Sequence, residues 1–463
     1  MEYKNKVQKE KLPSSFRDPS GFLFLKQGIF YRQINLLYKH HYDHLIKSGL
    51  LDFLVKRGLL IPHKEAGLDE KFCDGAYKII QPEKIPFISY PYEWCFDQLK
   101  DAAMATLQIQ KYALDFGMVL KDASAYNIQF LRGKPLLIDT LSFEKYKEGE
   151  PWVAYRQFCQ HFLAPLALMS CRSVYLGKLL QVHIDGIPLE LASSLLPWSS
   201  FLRPFLFAHI HLHAKVQSHM EKRNNNPELY FLGKKRMLAL IENLFSLVSS
   251  LKWNPQKTEW ADYYNETNYS KESFEHKKKI IKSFLSYIKP QQVWDIGANT
   301  GIFSRIASSN NIYTVSFDID PATVEKNYIE AKKNQEKNIL PLILDILNPS
   351  PALGWQNTER DSLQNRGPTD CIFALALIHH LVITGNISFE SIAEYFNKIG
   401  NSLIVEFAPK EDSQVQRMLS LSTRTFPDYS QEDFEKALKK YFMLKEKKLI
   451  PGSERFLYFM KKL

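Results

Sequence analysis

Cysteine is scarce and long hydrophobic runs are missing in this sequence of 463 residues. The five cysteines lie far apart and form no C-x-x-C pair, which excludes a zinc site or a dithiol redox couple of that spacing. The most apolar stretches, residues 162–169 and 191–209, fall short of the ~20 uninterrupted apolar residues that cross a bilayer. The charged residues 1–11 precede no apolar run, so we expect no secretory signal. These absences predict a reduced, cytoplasmic protein without a transmembrane segment.

The composition is that of a globular protein with more than one hydrophobic core. Hydrophobic residues make up 45% of the chain and charged residues 24%, and its length predicts two or three domains at ~100–200 residues each. Sixty Lys and Arg against fifty Asp and Glu give a net charge of +10, which permits attraction to phosphate-bearing partners. The basic residues are scattered among acids, as in 271–282, and such runs are typical of solvated helix faces. We therefore expect a small-molecule partner, with nucleic acid as an alternative.

The clearest change of composition lies between residues 213 and 270, where polar residues and turn formers accumulate. It predicts an N-terminal domain over 1–250, a linker over 251–275 and a C-terminal domain over 276–463. The linker contains four aromatic residues, Trp260, Tyr263, Tyr264 and Tyr269. We consider two roles for them, packing between the domains and covering a bound ligand.

Beyond the linker, helical patterns alternate with short β-branched runs, as in α/β proteins with parallel strands. Helices are predicted at 271–287, 302–308, 321–333, 389–397 and 431–441. Strands are predicted at 293–296, 312–317, 340–344, 370–376 and 402–407, followed by an antiparallel pair at 443–449 and 455–460.

A glycine-bearing turn follows the first of these strands, in the stretch Asp295-Ile296-Gly297-Ala298-Asn299-Thr300-Gly301. A dinucleotide fingerprint, G-x-G-x-x-G, would need glycines at 299 and 302, so NAD is disfavoured. The chain also lacks the G-x-x-x-x-G-K-[ST] phosphate loop. Asp318 and Asp320 end the second strand and Asp345 ends the third. Since ligands of open α/β sheets bind at the carboxyl ends of the strands, these positions predict one ligand site.

From about residue 263 to the C-terminus, the turn and these acids resemble the class I S-adenosylmethionine (SAM) methyltransferases. The resemblance implies a Rossmann-like sheet of seven strands with a terminal antiparallel hairpin, and SAM as cofactor. It places Gly297, Asn299 and Gly301 at the methionine moiety with Asp295 beside them, Asp318 and Asp320 at the ribose, and Asp345 at the adenine. His379 and His380 follow the fourth strand, where such enzymes face the methyl group. A proton-accepting role and a structural role are both open for the two histidines.

In the N-terminal half, Asp122 is followed five residues later by Asn127, and then by a short hairpin and a strand that ends at Asp139. This spacing resembles the α+β core of the protein-kinase and aminoglycoside-phosphotransferase superfamily. The resemblance implies Asp122 as base and Asn127 and Asp139 as ligands of Mg²⁺ bound with ATP. The chain departs from the family pattern in having Leu120 where the family has His and in lacking a glycine-rich nucleotide loop. For the phosphate-pairing lysine, Lys78 is the candidate.

Two apolar, aromatic stretches follow, at 151–168 and 195–212. We interpret both as core helices of the N-terminal domain, with a membrane-surface or lipid-linked acceptor role as the alternative.

Together these features predict a SAM-dependent methyltransferase that acts on an O or N acceptor of a small molecule or biosynthetic intermediate. Its kinase-like N-terminal domain would bind a substrate, nucleotide or partner. The alternatives are an ATP-dependent phosphotransferase with an accessory SAM-binding domain, a non-catalytic scaffold and an RNA-directed methyltransferase.

Overall fold

A computed structural model describes residues 9–215, 233–255 and 270–463. It divides into two units, Met1–Asn254 with Leu353–Arg360 and Pro255–Ala352 with Asp361–Leu463. The aromatic residues predicted for the linker, from Trp260 to Tyr269, lie outside the described residues. Among the described helices, none combines the length and the apolar character needed to cross a membrane.

The first unit begins with a five-stranded antiparallel sheet of order β1-β2-β3-β5-β4. A tight turn at Gln27 and Gly28, both with positive φ, joins β2 to β3. Two helices, α1 and α2, lie between β3 and β4 in the chain. The elements are β1 (Lys9–Lys11), β2 (Gly21–Lys26), β3 (Ile29–Asn35), α1 (Lys39–Lys47), α2 (Leu50–Lys56), β4 (His63–Ala66) and β5 (Ala76–Pro82).

The rest of the first unit is mostly helical around two small strand pairs. The long helix α3 (Phe96–Asp115) buries one apolar face, and its N-terminus is capped by Gln98, whose Oε1 accepts from the Cys95 N–H at 3.0 Å. Four short strands follow, and β6 pairs with β9 while β7 pairs with β8. These strands are β6 (Met118–Leu120), β7 (Ile128–Leu131), β8 (Lys134–Leu137) and β9 (Phe143–Lys145).

Short helices complete this unit and include two π-helical segments, Cys159–Leu163 and Phe207–Leu212. The α-helices are α4 (Tyr155–Phe158), α5 (Ala164–Cys171), α6 (Leu179–Val182), α7 (Leu189–Leu195), α8 (Pro204–Leu206) and α9 (Lys234–Ser250).

The second unit is built on a seven-stranded sheet of order β12-β11-β10-β13-β14-β16-β15. The first five strands of that order are parallel, and β16 is antiparallel to both of its neighbours. The chain moves outward from β10 first to one side and then to the other, so the sheet has a switch point between β10 and β13. The strands are β10 (Gln292–Ile296), β11 (Tyr313–Asp318), β12 (Ile339–Ile343), β13 (Cys371–Ala374), β14 (Ser402–Phe407), β15 (Phe442–Leu449) and β16 (Phe456–Lys462).

Helices connect these strands, and serine or aspartate side chains cap many of their N-termini. Ser270, Asp320, Ser388, Asp412 and Ser430 each accept a hydrogen bond from a backbone N–H of the first turn. The helices are α10 (Lys271–Ile288), α11 (Ser304–Ser308), α12 (Pro321–Lys333), α13 (Phe389–Ile399), α14 (Ser413–Leu421) and α15 (Gln431–Lys439). One hydrophobic core joins α10 to the sheet through residues such as Phe284, Phe373 and Phe459.

The predicted α/β fold with a large, partly parallel sheet is confirmed. The bounds predicted for α12 and β14 coincide with the structure. The strand expected at 370–376 is shorter and spans Cys371–Ala374, and beyond it the backbone leaves the extended conformation at Ala376, whose φ is 51°. The helix expected at 302–308 begins only at Ser304, after the glycine turn. Helix α10 begins at Lys271, five residues before the predicted start of the C-terminal domain.

A buried cluster of charges joins α10, β14 and the turn before β16. Arg455 donates to both carboxylate oxygens of Asp412, at 2.6 and 2.9 Å, and to Glu406 Oε1 at 3.0 Å. The other oxygen of Glu406 lies 2.5 Å from Lys277 Nζ. Since these side chains are almost inaccessible to solvent, each charge depends on its partner for stabilisation.

We expect Arg455→Leu to lower the free energy of unfolding by about 3–5 kcal/mol, because it leaves two buried carboxylates without their guanidinium. Denaturant unfolding followed by circular dichroism measures this change. The control is Lys398→Leu, which removes an exposed ion pair with Glu394 and should change stability by less than about 1 kcal/mol. Equal effects of the two substitutions would contradict the role given to Arg455.

Candidate functional site

A cavity of about 320 Å³ lies at the carboxyl ends of the parallel strands of the second unit. This volume is within the range of small-molecule sites, which span about 300–1,000 Å³. Its wall combines apolar side chains with a few carboxylates and one imidazole. The lining residues are Phe274, Lys277, Asp295, Ile296, Gly297, Ala298, Asn299, Phe303, Asp318, Ile319, Leu344, Asp345, Ile346, Leu347, Leu375, Ala376, Leu377, His380, Leu381 and Thr384.

The glycine turn after β10 forms one side of this cavity. Gly297 and Asn299 have positive φ values of 77° and 52°, and both line the cavity. A Cβ at position 297 would lie 3.2 Å from Leu377 Cδ1, so a side chain there would crowd the wall. The N–H groups of Gly297 and Ala298 both donate to the Phe317 carbonyl at 2.9 Å, which holds the turn against β11.

Gly301 has a different environment from Gly297 and does not line the cavity. Its φ is 79°, and a Cβ there would lie 2.5 Å from Asn327 Nδ2 on α12. The glycine therefore permits the close approach of the turn to this helix. This is a packing role, whereas the sequence prediction placed Gly301 at a cofactor.

Asp318 ties the end of β11 to the glycine turn. Its Oδ2 accepts from the Asn299 N–H at 2.7 Å, and its Oδ1 accepts from the Asp320 N–H at 2.9 Å. Burial raises the pKa of this carboxyl, and the two backbone hydrogen bonds oppose that rise. A carboxylate oxygen can accept more than one hydrogen bond, so Asp318 retains acceptor capacity toward a ligand.

The other two predicted acids differ from each other in position. Asp345 lines the cavity, and its Oδ1 accepts from the Leu347 N–H at 2.9 Å in a local turn. Asp320 does not line it, and its side chain caps α12 by accepting from the Ala322 N–H at 2.8 Å. In the structure, Asp318 and Asp345 thus line the same cavity, whereas Asp320 caps the N-terminus of α12.

Asp295 is fully buried at the end of β10 and lines the cavity. It accepts a hydrogen bond from Ser304 Oγ at 2.6 Å. Burial raises the pKa of Asp295 to about 7, against the opposing effects of that hydrogen bond and of the positive charge of Lys277.

Of the two predicted histidines, His380 lines the cavity and His379 does not. Their ring centroids are 4.4 Å apart. Burial lowers the pKa of His380 to about 4 and that of His379 well below its ordinary value, so both rings are neutral at pH 7. The ring of His379 is buried, and its Nδ1 atom has no hydrogen-bond partner among the residues that the structure describes.

Sequence reasoning missed Lys277, because it treated the charged residues 271–282 as a solvated helix face. The side chain is instead buried, with its Nζ 4.3 Å from the centroid of the Phe303 ring. Burial lowers the pKa of Lys277, and the charge of Glu406 opposes that shift. The helical spacing carried a usable signal, because position 277 falls on the same face as the buried Phe284 and Ile281.

In the first unit, the structure brings Asp122, Asn127 and Asp139 together. The Asp122 carboxylate accepts from the Ser124 N–H at 3.0 Å and from Gln157 Nε2 at 2.8 Å, and it is also hydrogen-bonded to Asn127. Burial raises the pKa of Asp122, and the nearby charge of Asp139 adds to that rise. These are the three residues that the kinase resemblance singles out in the sequence.

Arg32 on β3 forms an ion pair with Asp139, in which Nη1 of Arg32 lies 2.5 Å from Oδ1 of Asp139. Ser142 Oγ donates to the other oxygen at 2.6 Å. Lys78, the candidate phosphate-pairing lysine, instead pairs with Glu65 at 2.7 Å. Across residues 9–215, 233–255 and 270–463, no group of three or more His, Cys, Asp or Glu side chains is arranged to hold a metal ion.

The elevated pKa of Asp295 predicts a pH dependence of stability. Between about pH 4 and pH 7 the folded chain keeps this carboxyl protonated while the unfolded chain ionises it, so the group makes folding less favourable as the pH rises. Asn cannot ionise, so the stability of Asp295→Asn relative to the unsubstituted protein should increase between pH 5 and pH 8, on the order of 2 kcal/mol. Urea unfolding at both pH values measures this difference.

The matched control for this measurement is Asp428→Asn, at an exposed position of the same unit. Its stability relative to the unsubstituted protein should be the same at the two pH values. Parallel pH profiles for Asp295→Asn and the unsubstituted protein would show that Asp295 ionises normally in the folded state.

Comparison with known proteins gives one relative over nearly the whole chain. No protein-family model matches. Among solved structures, a magnesium protoporphyrin IX methyltransferase from Synechocystis PCC 6803 with bound SAH aligns at 14% identity and a TM-score of 0.31, covering 43% of this chain and 91% of that one. The N-methyltransferase NodS from Bradyrhizobium japonicum WM9 aligns at 14% identity and a TM-score of 0.32, covering 42% and 98%.

The full-length relative is the nodulation protein NoeA of Rhizobium meliloti (strain 1021). It is 34% identical over 456 residues, which are 97% of this chain and 95% of the relative. An alignment of this identity and extent includes both units. The chain therefore belongs to the protein family of nodulation protein NoeA.

Proposed function

We propose that the chain is a SAM-dependent methyltransferase that acts on an O or N acceptor of a small molecule or biosynthetic intermediate. The observation that carries this proposal is the convergence of Gly297, Asp318 and Asp345 on one cavity at the switch point of the second unit's sheet. Ligands of open α/β sheets bind at such points. The antiparallel pair of β15 and β16 at one end of the sheet supports the proposal, because the methyltransferase resemblance implies a terminal hairpin.

The lining of the cavity fits the parts of SAM. Asp318 would accept hydrogen bonds from the ribose hydroxyls, since its carboxylate lines the cavity and is oriented by two backbone N–H groups. Asp345 would lie beside the adenine, with Leu347 and Ile319 as apolar neighbours. Gly297 leaves room for the methionine moiety, and Asp295 would face its amine. Asp320 and Gly301, which are used for capping and packing, are assigned no contact with the cofactor.

When bound, SAM supplies a methyl group on a positively charged sulfur, which O and N nucleophiles can attack. The protein's contribution is to hold the acceptor in line with that group and to exclude water. His380 is the residue proposed to accept a proton from the acceptor, because its ring lines the cavity and is neutral at pH 7. His379 is proposed to support the π-helix His380–Thr384 from within the fold.

Calorimetric titration with SAM and with S-adenosylhomocysteine tests the cofactor site. We expect the unsubstituted protein to bind both, and Asp318→Asn to bind them about 10- to 100-fold more weakly, because a hydrogen bond to a charged group contributes about 1.5–3 kcal/mol. Asp428→Asn should bind like the unsubstituted protein. If the folded, unsubstituted protein binds neither compound, the methyltransferase proposal is wrong.

The role of His380 is tested by separating binding from turnover. His380→Ala should keep its affinity for S-adenosylhomocysteine within about threefold, and it should transfer labelled methyl groups to a metabolite extract about 100-fold or more slowly. His276→Ala, at an exposed position on α10, should transfer at the unsubstituted rate. Unchanged transfer by His380→Ala would remove His380 from the mechanism.

A second candidate function, phosphoryl transfer by the first unit, is favoured by the convergence of Asp122, Asn127 and Asp139. The pairing of β6 with β9 and of β7 with β8 supports this candidate, because Asp122 follows β6, Asn127 precedes β7 and Asp139 lies between β8 and β9. The Arg32 guanidinium opposes a metal at Asp139, because it already neutralises that carboxylate. Magnesium would have to displace Arg32 before Asp139 could act as a ligand.

For this second candidate we expect ATP to raise the melting temperature only when Mg²⁺ is present, and Asp139→Asn to abolish that rise. Thermal unfolding with ATP alone, Mg²⁺ alone and both together measures it. Asp115→Asn, at an exposed residue of the same unit, is the control. Identical melting temperatures of the unsubstituted protein in all three conditions would exclude phosphoryl transfer as the function of this site.

A further inference from the structure

A short segment of the first unit exposes an unusual number of large apolar side chains. Trp198 is 75% exposed and Leu202 is 68% exposed, and four more such residues lie between Phe201 and Leu212. From Phe201 to Phe205 every residue is exposed. We name this group the apolar patch, and its members are Trp198, Phe201, Leu202, Phe205, Phe207 and Leu212.

The segment that carries the patch is anchored to the first unit, since Ser200, His209 and His211 are buried and their side chains are hydrogen-bonded. His211 is held between two serines, with Nδ1 2.7 Å from Ser193 Oγ and Nε2 2.8 Å from Ser200 Oγ. Its ring stacks on Phe201 with centroids 3.7 Å apart. His209 Nδ1 lies 2.7 Å from the Tyr155 hydroxyl. The segment is therefore fixed from beneath while its apolar side chains face outward.

The charged side chains in the sequence of this segment are all positive. Between Glu190 and Glu221 the sequence contains no Asp or Glu, although acids make up 50 of the 463 residues. Arg203 lies within the patch and Lys215 lies three residues beyond it, and both are exposed. Arg203 and Lys215 are the only Lys, Arg, Asp or Glu residues in the sequence from 191 to 220, although Glu190 lies close enough to His213 to affect its pKa. An exposed apolar surface on a cationic segment matches a lipid bilayer whose headgroups are negatively charged.

The sequence interpretation of 195–212 as a core stretch is correct for Leu206 and Ile210, which are buried, and wrong for the patch. Contiguous exposed apolar side chains of this kind mark an interaction surface. Tryptophan favours the headgroup level of a bilayer, phenylalanine and leucine favour the acyl boundary, and basic residues favour lipid phosphates.

We propose that the apolar patch binds the surface of an anionic lipid bilayer, with Trp198 and Leu202 entering the interface and Arg203 contacting lipid phosphates. None of the described helices can span a membrane, so the attachment is interfacial. The proposal does not rest on methyl transfer, since the patch belongs to the first unit and the cavity to the second.

Sedimentation of the full chain with vesicles tests this proposal. One set of vesicles contains phosphatidylcholine alone, and the other contains phosphatidylcholine with phosphatidylglycerol. We expect binding to the anionic set, and at least tenfold weaker binding by the double variant Trp198→Ser with Leu202→Ser. The matched control is Trp355→Ser with Leu421→Ser, which removes a Trp 64% exposed and a Leu 78% exposed outside the patch and should bind like the unsubstituted protein.

A second variant separates the apolar from the electrostatic contribution. Arg203→Ser should weaken binding to the anionic vesicles and leave any binding to neutral vesicles unchanged, and added salt should diminish the difference. Circular dichroism establishes that each variant is folded.

Two outcomes would overturn the proposal. One is that the folded, unsubstituted protein binds neither set of vesicles, including the case in which it self-associates through the patch in lipid-free solution. The other is that the Trp198 and Leu202 double variant binds the anionic vesicles as tightly as the unsubstituted protein.

Discussion

The cavity of the second unit depends on one carboxylate. Asp318 accepts a backbone N–H from the glycine turn with one oxygen and a backbone N–H from its own strand end with the other. Two chain segments about 20 residues apart are thereby held at a fixed separation. Asn299, with its positive φ, lines the cavity and is held there by that hydrogen bond. The same carboxylate is then available to a ligand at the point where the order of the strands changes direction.

A second constraint is the neutralisation of buried charge around the cavity. Lys277, Glu406, Arg455 and Asp412 form a chain of ion pairs between α10, β14 and the turn before β16. These elements are distant in sequence, and hydrophobic contact alone would not determine their orientation so strictly. Asp295 lies near the end of this chain and has a raised pKa because burial outweighs the nearby positive charge. The protonation of Asp295 in the cavity wall is therefore determined by burial and by neighbouring charges rather than by contact with solvent.

The two units use carboxylates in opposite ways. In the second unit, Asp318 and Asp345 line a cavity, and both accept hydrogen bonds from backbone N–H groups without an ion pair to a guanidinium in the part of the chain that the structure describes. In the first unit, Asp139 is occupied by a guanidinium and a hydroxyl. Asp318 and Asp139 both lie near the end of a strand. Asp318 lines a cavity, whereas the charge of Asp139 is neutralised by Arg32.

The sequence by itself determined the α/β character of the second unit, the bounds of α12 and β14, and the strand-end positions of Asp318 and Asp345, because periodicity and turn formers act over a few residues. It also placed Asp122, Asn127 and Asp139 close enough in the chain to converge. Only the tertiary structure decided that Gly301 packs against Asn327, that Lys277 pairs with Glu406 and that Arg32 reaches Asp139. It alone also decided that the apolar stretch around Trp198 is exposed. These outcomes depend on which distant residue lies opposite each side chain, and local spacing carries no information about that partner.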